Sequence, residues 1–104
     1  MVVREYIRAD DRSPFRQWFG TLNPPARAKV AVALTRIERG NLSNVKPVGG
    51  GVLEFKIDFG PGYRIYFGRD GERLVILLGG GSKHTQQNDI ASAKDLWHEY
   101  RKRK

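Results

Sequence analysis

The chain has 104 residues, of which 39% are hydrophobic, and this predicts a single domain over residues 1–104 with one modest core. Its 19 Lys and Arg against 11 Asp and Glu give a formal net charge of +8, which favours a polyanion or an acidic protein as partner. It contains no cysteine and only two histidines, which excludes disulfides, thiolate metal sites and a cysteine nucleophile, and we expect neither a metal nor a cofactor.

The N-terminal part of the chain predicts a strand followed by a short helix. Alternation of residue types from Val2 to Arg8 predicts the strand. Ser13 and Pro14 form a helix start signal, because Ser caps free N–H groups and Pro suits the first helical position. The apolar residues that follow have the spacing i, i+3, i+4, i+7 of one helix face: Phe15, Trp18, Phe19 and Leu22.

A second helix is predicted from about Pro24 to Arg39. It begins with the same signal, Asn23 followed by Pro24, and ends where Gly40 supplies a left-handed C-cap. Its core stripe is Val30, Leu34 and Ile37. Because the connection between the two helices is short, we expect them to form an antiparallel pair.

From Val52 onward the alternation predicts a three-stranded antiparallel meander. Its turns are residues 60–62, Gly-Pro-Gly, and the dipeptide Asp70-Gly71. The first turn needs a loop with an odd number of residues, because a register shift of one residue would place the apolar side chains of the two strands on opposite faces of the sheet. We therefore expect Phe59 opposite Tyr63 and, across a two-residue second loop, Phe67 opposite Leu74.

This register predicts one apolar face, which carries the helix pair, and one solvated polar face. Seven residues are expected on the polar face: Glu54, Lys56, Asp58, Arg64, Tyr66, Val75 and Leu77. On it Asp58 is expected opposite Arg64, and Lys56 opposite Tyr66. The glycines at 79–81 are predicted to be a flexible connection to a last helix, which Thr85 caps and which ends in the basic, solvated run 101–104. The fold class is therefore α+β: a small antiparallel sheet made of an N-terminal strand plus the meander, with the helix pair on one face and a C-terminal helix.

Arg64, Lys83 and His84 are expected to converge at one edge of the polar face. Lys83 and His84 follow the last strand, which ends near the start of the neighbouring antiparallel strand that carries Arg64. A solvated sheet face with cross-strand ion pairs is the simpler explanation of the charged residues alone. The convergence favours single-stranded RNA as ligand, because Arg and Lys hold phosphates and Tyr66 can stack on a base.

RNA can also be cleaved without a metal, since its 2′-hydroxyl can attack the neighbouring phosphate. The protein must then remove a proton, stabilise the added negative charge and protonate the leaving oxygen. We expect Lys56 and Arg64 to stabilise the charge, with Lys83 and His84 assisting. His84 is the best candidate for proton transfer, and Tyr66 or Glu54 could contribute to catalysis or substrate binding.

Two segments resemble the phage-derived Gp49/HigB-like branch of the RelE/ParE toxin superfamily, the addiction module killer proteins. They are residues 52–67, which include the Gly-Pro-Gly-Tyr-Arg turn, and residues 77–90, with the pattern Gly-Gly-x-Lys-x-Thr-Gln-x-x-Asp-Ile. The resemblance implies a RelE/ParE-like fold and the toxin of a type II toxin–antitoxin pair. Many members are ribosome-dependent endoribonucleases, whose working sheet cations and following basic residue match Lys56, Arg64 and Lys83, with His84 beside them.

The resemblance also implies a partner, a helix-turn-helix antitoxin encoded beside the toxin, in addition to mRNA and the ribosome. Two alternatives stay open: a ParE-like inhibitor of DNA gyrase on the same scaffold, and a domain whose main role is its complex with a partner. No apolar run reaches the roughly 20 residues of a membrane span and no signal peptide is recognisable. We therefore expect a cytoplasmic protein with no membrane partner.

Overall fold

The computed structural model describes residues 1–103; Lys104, the end of the predicted basic tail, lies outside the described residues. The described part confirms the α+β class, with five strands, three α-helices and one 3₁₀ turn. In chain order these are β1 (Val2–Glu5), α1 (Pro14–Gly20), α2 (Pro24–Glu38), β2 (Val45–Gly49), β3 (Val52–Ile57), β4 (Tyr63–Asp70), β5 (Leu74–Ser82), the 3₁₀ turn (Lys83–Thr85) and α3 (Gln86–Arg103).

Both N-terminal helices begin where their start signals predict. The Ser13 hydroxyl accepts a hydrogen bond from the backbone N–H of Arg16 at 3.0 Å. The Asn23 side chain accepts one from Ala26 in the same way, also at 3.0 Å. Each cap satisfies an N–H group that has no partner within its helix, so local sequence is sufficient to place both helix starts.

The sheet is mixed and not antiparallel throughout as predicted, with strand order β1-β5-β4-β3-β2. β1 runs parallel to β5, and the other neighbours are antiparallel. β2 is an edge strand that the sequence pattern did not predict. It contains Pro47, which lacks a backbone N–H and is tolerated on edge strands, and it joins β3 through three glycines that all have positive φ.

The predicted strand register is wrong at both turns of the meander. The first loop has five residues and not three, so Ile57 pairs with Tyr63 and Lys56 with Arg64. The second loop has three residues and not two, so Asp70 pairs with Leu74. The predicted pairs Phe59–Tyr63, Phe67–Leu74, Asp58–Arg64 and Lys56–Tyr66 are therefore not formed. The first loop still has an odd length, which keeps the apolar residues of β3 and β4 on one face.

A β-bulge between Tyr66 and Phe67 explains the rest of the register. The β5 partner changes from Gly79 to Leu77 across these two residues, so one residue of β5 is left over. Between the bulge and the turn, the three-residue loop pairs Phe67 with Leu77 and Arg69 with Val75, so Val75 and Leu77 lie on the same face as Phe67, in contact with the helix pair, and not on the predicted polar face. Ile76 and Leu78 lie on the opposite face.

α1 and α2 cover one face of the sheet, as predicted. Twelve buried residues form this first core: Phe15, Leu22, Ala26, Val30, Ala33, Ile37, Phe55, Ile57, Ile65, Phe67, Val75 and Leu77. The opposite face is not the solvated surface that we expected, because α3 packs across it. A second core lies there, made of Tyr6, Val52, Tyr66, Ile76, Leu78, Ala93, Leu96 and Trp97.

The glycines at 79–81 belong to β5 and are not a flexible connection. A Cβ on Gly80 would collide with the ring of Trp18, and one on Gly81 would collide with the carboxylate of Asp89. These side chains therefore lie directly on the strand backbone, which only glycine permits. Among residues 1–103, no helix is both long enough and apolar enough to cross a bilayer.

Candidate functional site

A buried ion pair lies at the end of the sheet where β4 begins. Arg64 Nε lies 3.6 Å from Glu54 Oε1, and only 7% of the Arg64 side chain and 1% of the Glu54 side chain are exposed. Arg64 Nη1 also donates a hydrogen bond to the carbonyl oxygen of Gly62 at 2.6 Å. The two strands and the preceding turn therefore hold the guanidinium in one orientation.

The first turn of α3 covers this pair. Gln86 Nε2 donates a hydrogen bond to Glu54 Oε1 at 2.9 Å. The Thr85 hydroxyl donates one to Asp89 Oδ2 at 2.5 Å, and this carboxylate lies on Gly81, which pairs with Arg64 in the sheet. The start of α3 thus closes the polar end of the second face, while the apolar remainder of that face lies under Trp97.

Tyr66 is fully buried beside the ion pair, and this contradicts its predicted stacking role. None of its ring surface is accessible to a base. Burial raises the pKa of Tyr66 far above its ordinary value, and the negative charge of Glu54 raises it further. Tyr66 therefore stays protonated at physiological pH and cannot serve there as a general base.

Glu54 is buried and offers almost no surface to a substrate, so the predicted substrate contact of Glu54 is also contradicted. Its carboxylate orients Arg64 instead. Within residues 1–103, three buried atoms of the cluster lack a hydrogen-bond partner: Glu54 Oε2, Arg64 Nε and the Tyr66 hydroxyl oxygen. Two of these atoms still face an opposite charge at 3.6 Å, Arg64 Nε at Glu54 Oε1 and Glu54 Oε2 at Lys46 Nζ, so they are ion-paired although they are not within hydrogen-bond distance.

Exposed lysines surround the buried pair. Lys46 Nζ lies 3.6 Å from Glu54 Oε2, although 65% of the Lys46 side chain is exposed. Lys56 is opposite Arg64 in the sheet, is 53% exposed and pairs with Asp58 at 3.6 Å. Lys46 and Lys56 line one shallow groove of about 290 Å³. The structure thus places two exposed cations beside the Glu54–Arg64 pair.

Lys83 approaches the cluster from the other side. A Cβ placed on Gly62 would lie 3.3 Å from Arg64 Nη1 and 3.9 Å from Lys83 Cβ, so the Arg64 guanidinium and the base of the Lys83 side chain both lie beside Gly62. His84 is exposed in the adjoining 3₁₀ turn. Among residues 1–103, no hydrogen bond or ion pair connects His84 to the cluster. The structure therefore brings Arg64, Lys56 and Lys83 together and leaves the part of His84 a prediction.

Lys46 is the site residue that sequence reasoning missed. It escaped notice because β2 was not predicted. The signal was present: three consecutive glycines before Val52 are typical of a tight turn, and a turn there implies a strand on its N-terminal side. That strand pairs with β3 and places Lys46 opposite Glu54.

Chemically, the cluster is suited to a phosphodiester. One guanidinium lies at its floor, and three lysines lie within reach of phosphates on either side. Arg can bind two phosphate oxygens at once through its planar fork, and Lys supplies a mobile point charge. The fold and this cluster together define a small basic α+β protein with a cluster of cationic side chains at one end of its sheet.

Sequence comparison identifies the family. The family model described as phage derived protein Gp49-like (DUF891) matches residues 17–97, and the chain belongs to this family, a toxin-like family of addiction module killer proteins. A relative from Haemophilus influenzae, described as an uncharacterized protein, is 43% identical over 86 residues. The match covers 82% of this chain and 87% of the relative. The family match spans every residue of the cationic cluster.

Proposed function

We propose that this protein is the toxin of a type II toxin–antitoxin pair, within the RelE/ParE superfamily, and that it cleaves mRNA on the ribosome without a metal. The observation that supports this is the buried Arg64, held by Glu54 and surrounded by Lys46, Lys56 and Lys83. A cluster of this kind stabilises negative charge that develops on a phosphate, because its groups are oriented before the reaction begins.

The reaction uses the 2′-hydroxyl of the RNA as nucleophile. Its oxygen attacks the neighbouring phosphorus, the bond to the 5′ oxygen of the next nucleotide breaks, and a cyclic phosphate remains. The proton of the 2′-hydroxyl must leave, and another must reach the departing oxygen. Arg64 stabilises the charge on the phosphate oxygens, Lys56 and Lys83 hold phosphates, and His84 is the exposed group to which we assign proton transfer.

Access to Arg64 requires the first turn of α3 to move. Only 7% of the Arg64 side chain is exposed, and Gln86 holds that turn against Glu54 with a single side-chain hydrogen bond. One such bond contributes about 1 kcal/mol, so its loss costs little. An enzyme of this size has little room to enclose a substrate, which suits one that relies on the ribosome to position mRNA.

Growth and RNA measurements on matched variants test the proposal. Arg64→Lys keeps the charge but loses the planar fork, and we expect about a 100-fold loss of mRNA cleavage, as when one oriented donor is removed from other enzymes. Lys83→Ala should also reduce cleavage, whereas Lys102→Ala, an equal charge change on the exposed end of α3, should not. Circular dichroism and thermal unfolding establish that each variant is folded.

The same experiment separates the alternatives. Mapping mRNA 5′ ends together with gyrase–DNA cleavage complexes in induced cells distinguishes the two targets. If gyrase–DNA cleavage complexes accumulate while mRNA stays intact, the nuclease proposal is wrong and the ParE-like alternative takes its place. If cells that make folded protein show neither effect, the remaining alternative is a domain whose main role is its complex with a partner. Full cleavage by folded Arg64→Lys would show that the cluster is not the active site.

Salt dependence tests the phosphate contacts directly. Binding of single-stranded RNA should weaken steeply with salt, because each neutralised phosphate releases counterions. Removing one contacting lysine should reduce the slope of log K against log salt by about 0.7. We expect this for Lys56→Ala and Lys83→Ala, and no change of slope for Lys102→Ala.

An antitoxin is the partner that a toxin-like family implies. The net charge of +8 predicts acidic residues on the antitoxin surface that meets the toxin, because complementary charge accelerates association. Co-expression with the product of the neighbouring gene should restore growth and yield a stable complex on a sizing column. Continued growth arrest despite soluble neighbouring protein would exclude that protein as the antitoxin.

A further inference from the structure

β1 has an open edge. It is the first strand of the sheet and pairs only with β5. The backbone N–H groups of Val2 and Tyr6 bond to β5, to the carbonyl oxygens of Arg73 and Leu77. Because successive residues of a strand direct their backbone groups to opposite sides, those of Val3 and Glu5 point away from the sheet. This is the arrangement that accepts an additional strand.

An apolar groove of about 350 Å³ lies beside this edge, between β1 and the C-terminal end of α3. We call it the β1 groove; its main walls are Arg4, Tyr6, Leu74, Ile76, Tyr100 and Arg103. Two of the three large hydrophobic residues that are exposed within residues 1–103, Val2 and Ile7, belong to the same N-terminal segment. Apolar surface of this kind at an open strand edge marks a binding surface.

The charges beside the groove favour an acidic occupant. Arg4 is exposed on the groove side of β1. Arg103 closes one end with its guanidinium 5.4 Å from the centre of the Tyr6 ring, and its Nη2 is paired with Glu99 at 2.7 Å, so Arg4 is the main cation offered to an occupant. Glu5 is already paired with Arg16, whose Nη2 lies 2.6 Å from Glu5 Oε2, so it repels an incoming carboxylate less. Acidic side chains on an added strand would therefore meet cations.

A second copy of this chain fits the edge poorly. In an antiparallel pairing of two β1 strands that joins Val3 of one copy to Glu5 of the other, the two Arg4 side chains lie directly opposite each other. Like charges in that position are destabilising. Two copies would also bring together chains that each carry a net charge of +8.

The groove is remote from the cationic cluster. It lies at the beginning of β5, at Leu74 and Ile76, whereas Arg64 pairs with Gly81 near the end of that strand. The seven steps from Leu74 to Gly81 span about 23 Å at the usual rise per residue. A ligand can therefore occupy the groove without covering Arg64.

We propose that the edge of β1 and the β1 groove bind an extended acidic segment of a partner protein by strand addition, with an apolar side chain of that segment in the groove. This surface is independent of the activity of the Arg64 cluster, so either inference can fail while the other stands. The added strand forms main-chain hydrogen bonds with Val3 and Glu5, and Arg4 contacts its acidic residues.

Peptide libraries test the proposal on the full chain. One library has eight-residue peptides in which Asp or Glu alternates with Val, Ile, Leu or Phe, and the second has Lys or Arg in place of the acidic residues. We expect binders from the acidic library only, with amide shifts and slowed hydrogen exchange at Val3 and Glu5 by NMR. Absence of binders, equal binding by both libraries, or shifts confined to residues around Arg64 and Lys83 would each overturn the proposal.

Two variants with matched controls sharpen the test with the tightest peptide found. Val3→Pro removes an outward N–H, and binding should weaken at least about threefold relative to Val3→Ala, which loses the side chain but keeps the N–H. Arg4→Glu, on an exposed residue that does not threaten folding, should weaken binding about tenfold at low salt. Arg101→Glu makes the same charge change elsewhere and should have no effect. Equal affinities of Arg4→Glu and Arg101→Glu would contradict the proposal.

Discussion

The two faces of the sheet are both covered by helices, but they are closed by different chemistry. α1 and α2 close the first face with apolar side chains alone, and its cluster of twelve buried residues contains no charge. α3 closes the second face with Trp97 and its neighbours at one end, and with Gln86 over the Glu54–Arg64 pair at the other. The first face therefore supplies stability, and the second combines stability with a preorganised charged site.

This difference predicts which substitutions matter on each face. In the first core a substitution acts through lost volume, and charge has no part in it. In the polar end of the second face the important quantity is the pairing of charges, because an isolated buried ion costs far more than a paired one. The predictions below compare the two faces, beginning with the largest effect.

Truncation of the central aromatic residue of the first core should have the largest effect on stability. Phe67 is fully buried, and Phe67→Ala should lower the free energy of unfolding by about 3–5 kcal/mol. Urea unfolding checks this through a shift of the midpoint at unchanged slope. A loss below 1 kcal/mol would mean that the first core can collapse into the space and is less tightly packed than the structure indicates.

Removal of one member of the buried ion pair should have the next largest effect. Glu54→Ala leaves Arg64 buried without its counterion, and we expect a loss of about 3 kcal/mol, the lower end of the usual range because 7% of Arg64 remains hydrated. The double variant Glu54→Leu/Arg64→Met should recover most of this loss and abolish RNA cleavage. If the double variant is no more stable than Glu54→Ala, unpaired charge is not the cause.

Tyr100→Phe should have a smaller effect that disappears at high pH. The Tyr100 hydroxyl donates a hydrogen bond to Asp70 Oδ2 at 2.6 Å, and its loss should cost about 1 kcal/mol. This hydrogen bond, with burial, raises the pKa of Tyr100 to about 12 from 10. Because the folded state holds the proton more tightly, the stability difference is fully present below pH 10 and is lost as the pH rises towards 12.

Unfolding of both proteins between pH 7 and pH 12, with tyrosinate absorbance, checks the Tyr100 prediction. The wild-type protein should show one tyrosine titration near pH 12 that the variant lacks. A stability difference that persists unchanged at pH 12 would show that packing, and not the hydrogen bond, is responsible.

Arg16→Ala should have the smallest effect, because exposed ion pairs are screened by solvent and salt. Partial burial of Glu5 raises its pKa, but hydrogen bonds from Arg16 and Ser13 outweigh this and lower the pKa overall. The contribution of the pair is therefore present above about pH 4.5 and lost as the pH falls below that value. Unfolding of both proteins at pH 7 and pH 3 should show a difference at pH 7 only, and a loss as large as that of Phe67→Ala would contradict this ranking.

Short-range signals placed the two N-terminal helices correctly. Ser13 and Asn23 cap the helices within a few residues of themselves, so no distant contact is needed to specify them. The apolar side of β3 and β4 was also correctly predicted, because any odd loop between the two strands preserves it. The pairing itself was displaced by two residues, since loop length is not determined by alternation alone.

The convergence of Arg64, Lys83 and His84 was predicted from chain order, because antiparallel neighbours bring one strand's end to the next strand's start. The structure places the Lys83 backbone near Arg64, and the part of His84 stays a prediction. Two features depended on distant contacts. The bulge at Tyr66 and Phe67 places Gly80 opposite Ile65, where the Trp18 ring lies on it, and β2 brings Lys46 to Glu54. Neither is encoded by periodicity, because each depends on an element from another part of the chain.

Sequence alone determined the fold class, the basic character and the sheet cations, because these follow from composition, local caps and alternation. Tertiary structure decided which of those residues meet solvent. Alternation places Glu54, Arg64 and Tyr66 on one face but is silent on what covers that face. The packing of α3 settles it: Trp97 and Gln86 bury three residues that a free sheet would expose. Because a buried charge needs a partner, the buried Glu54 carboxylate is the counterion of Arg64 and not the substrate contact that we predicted.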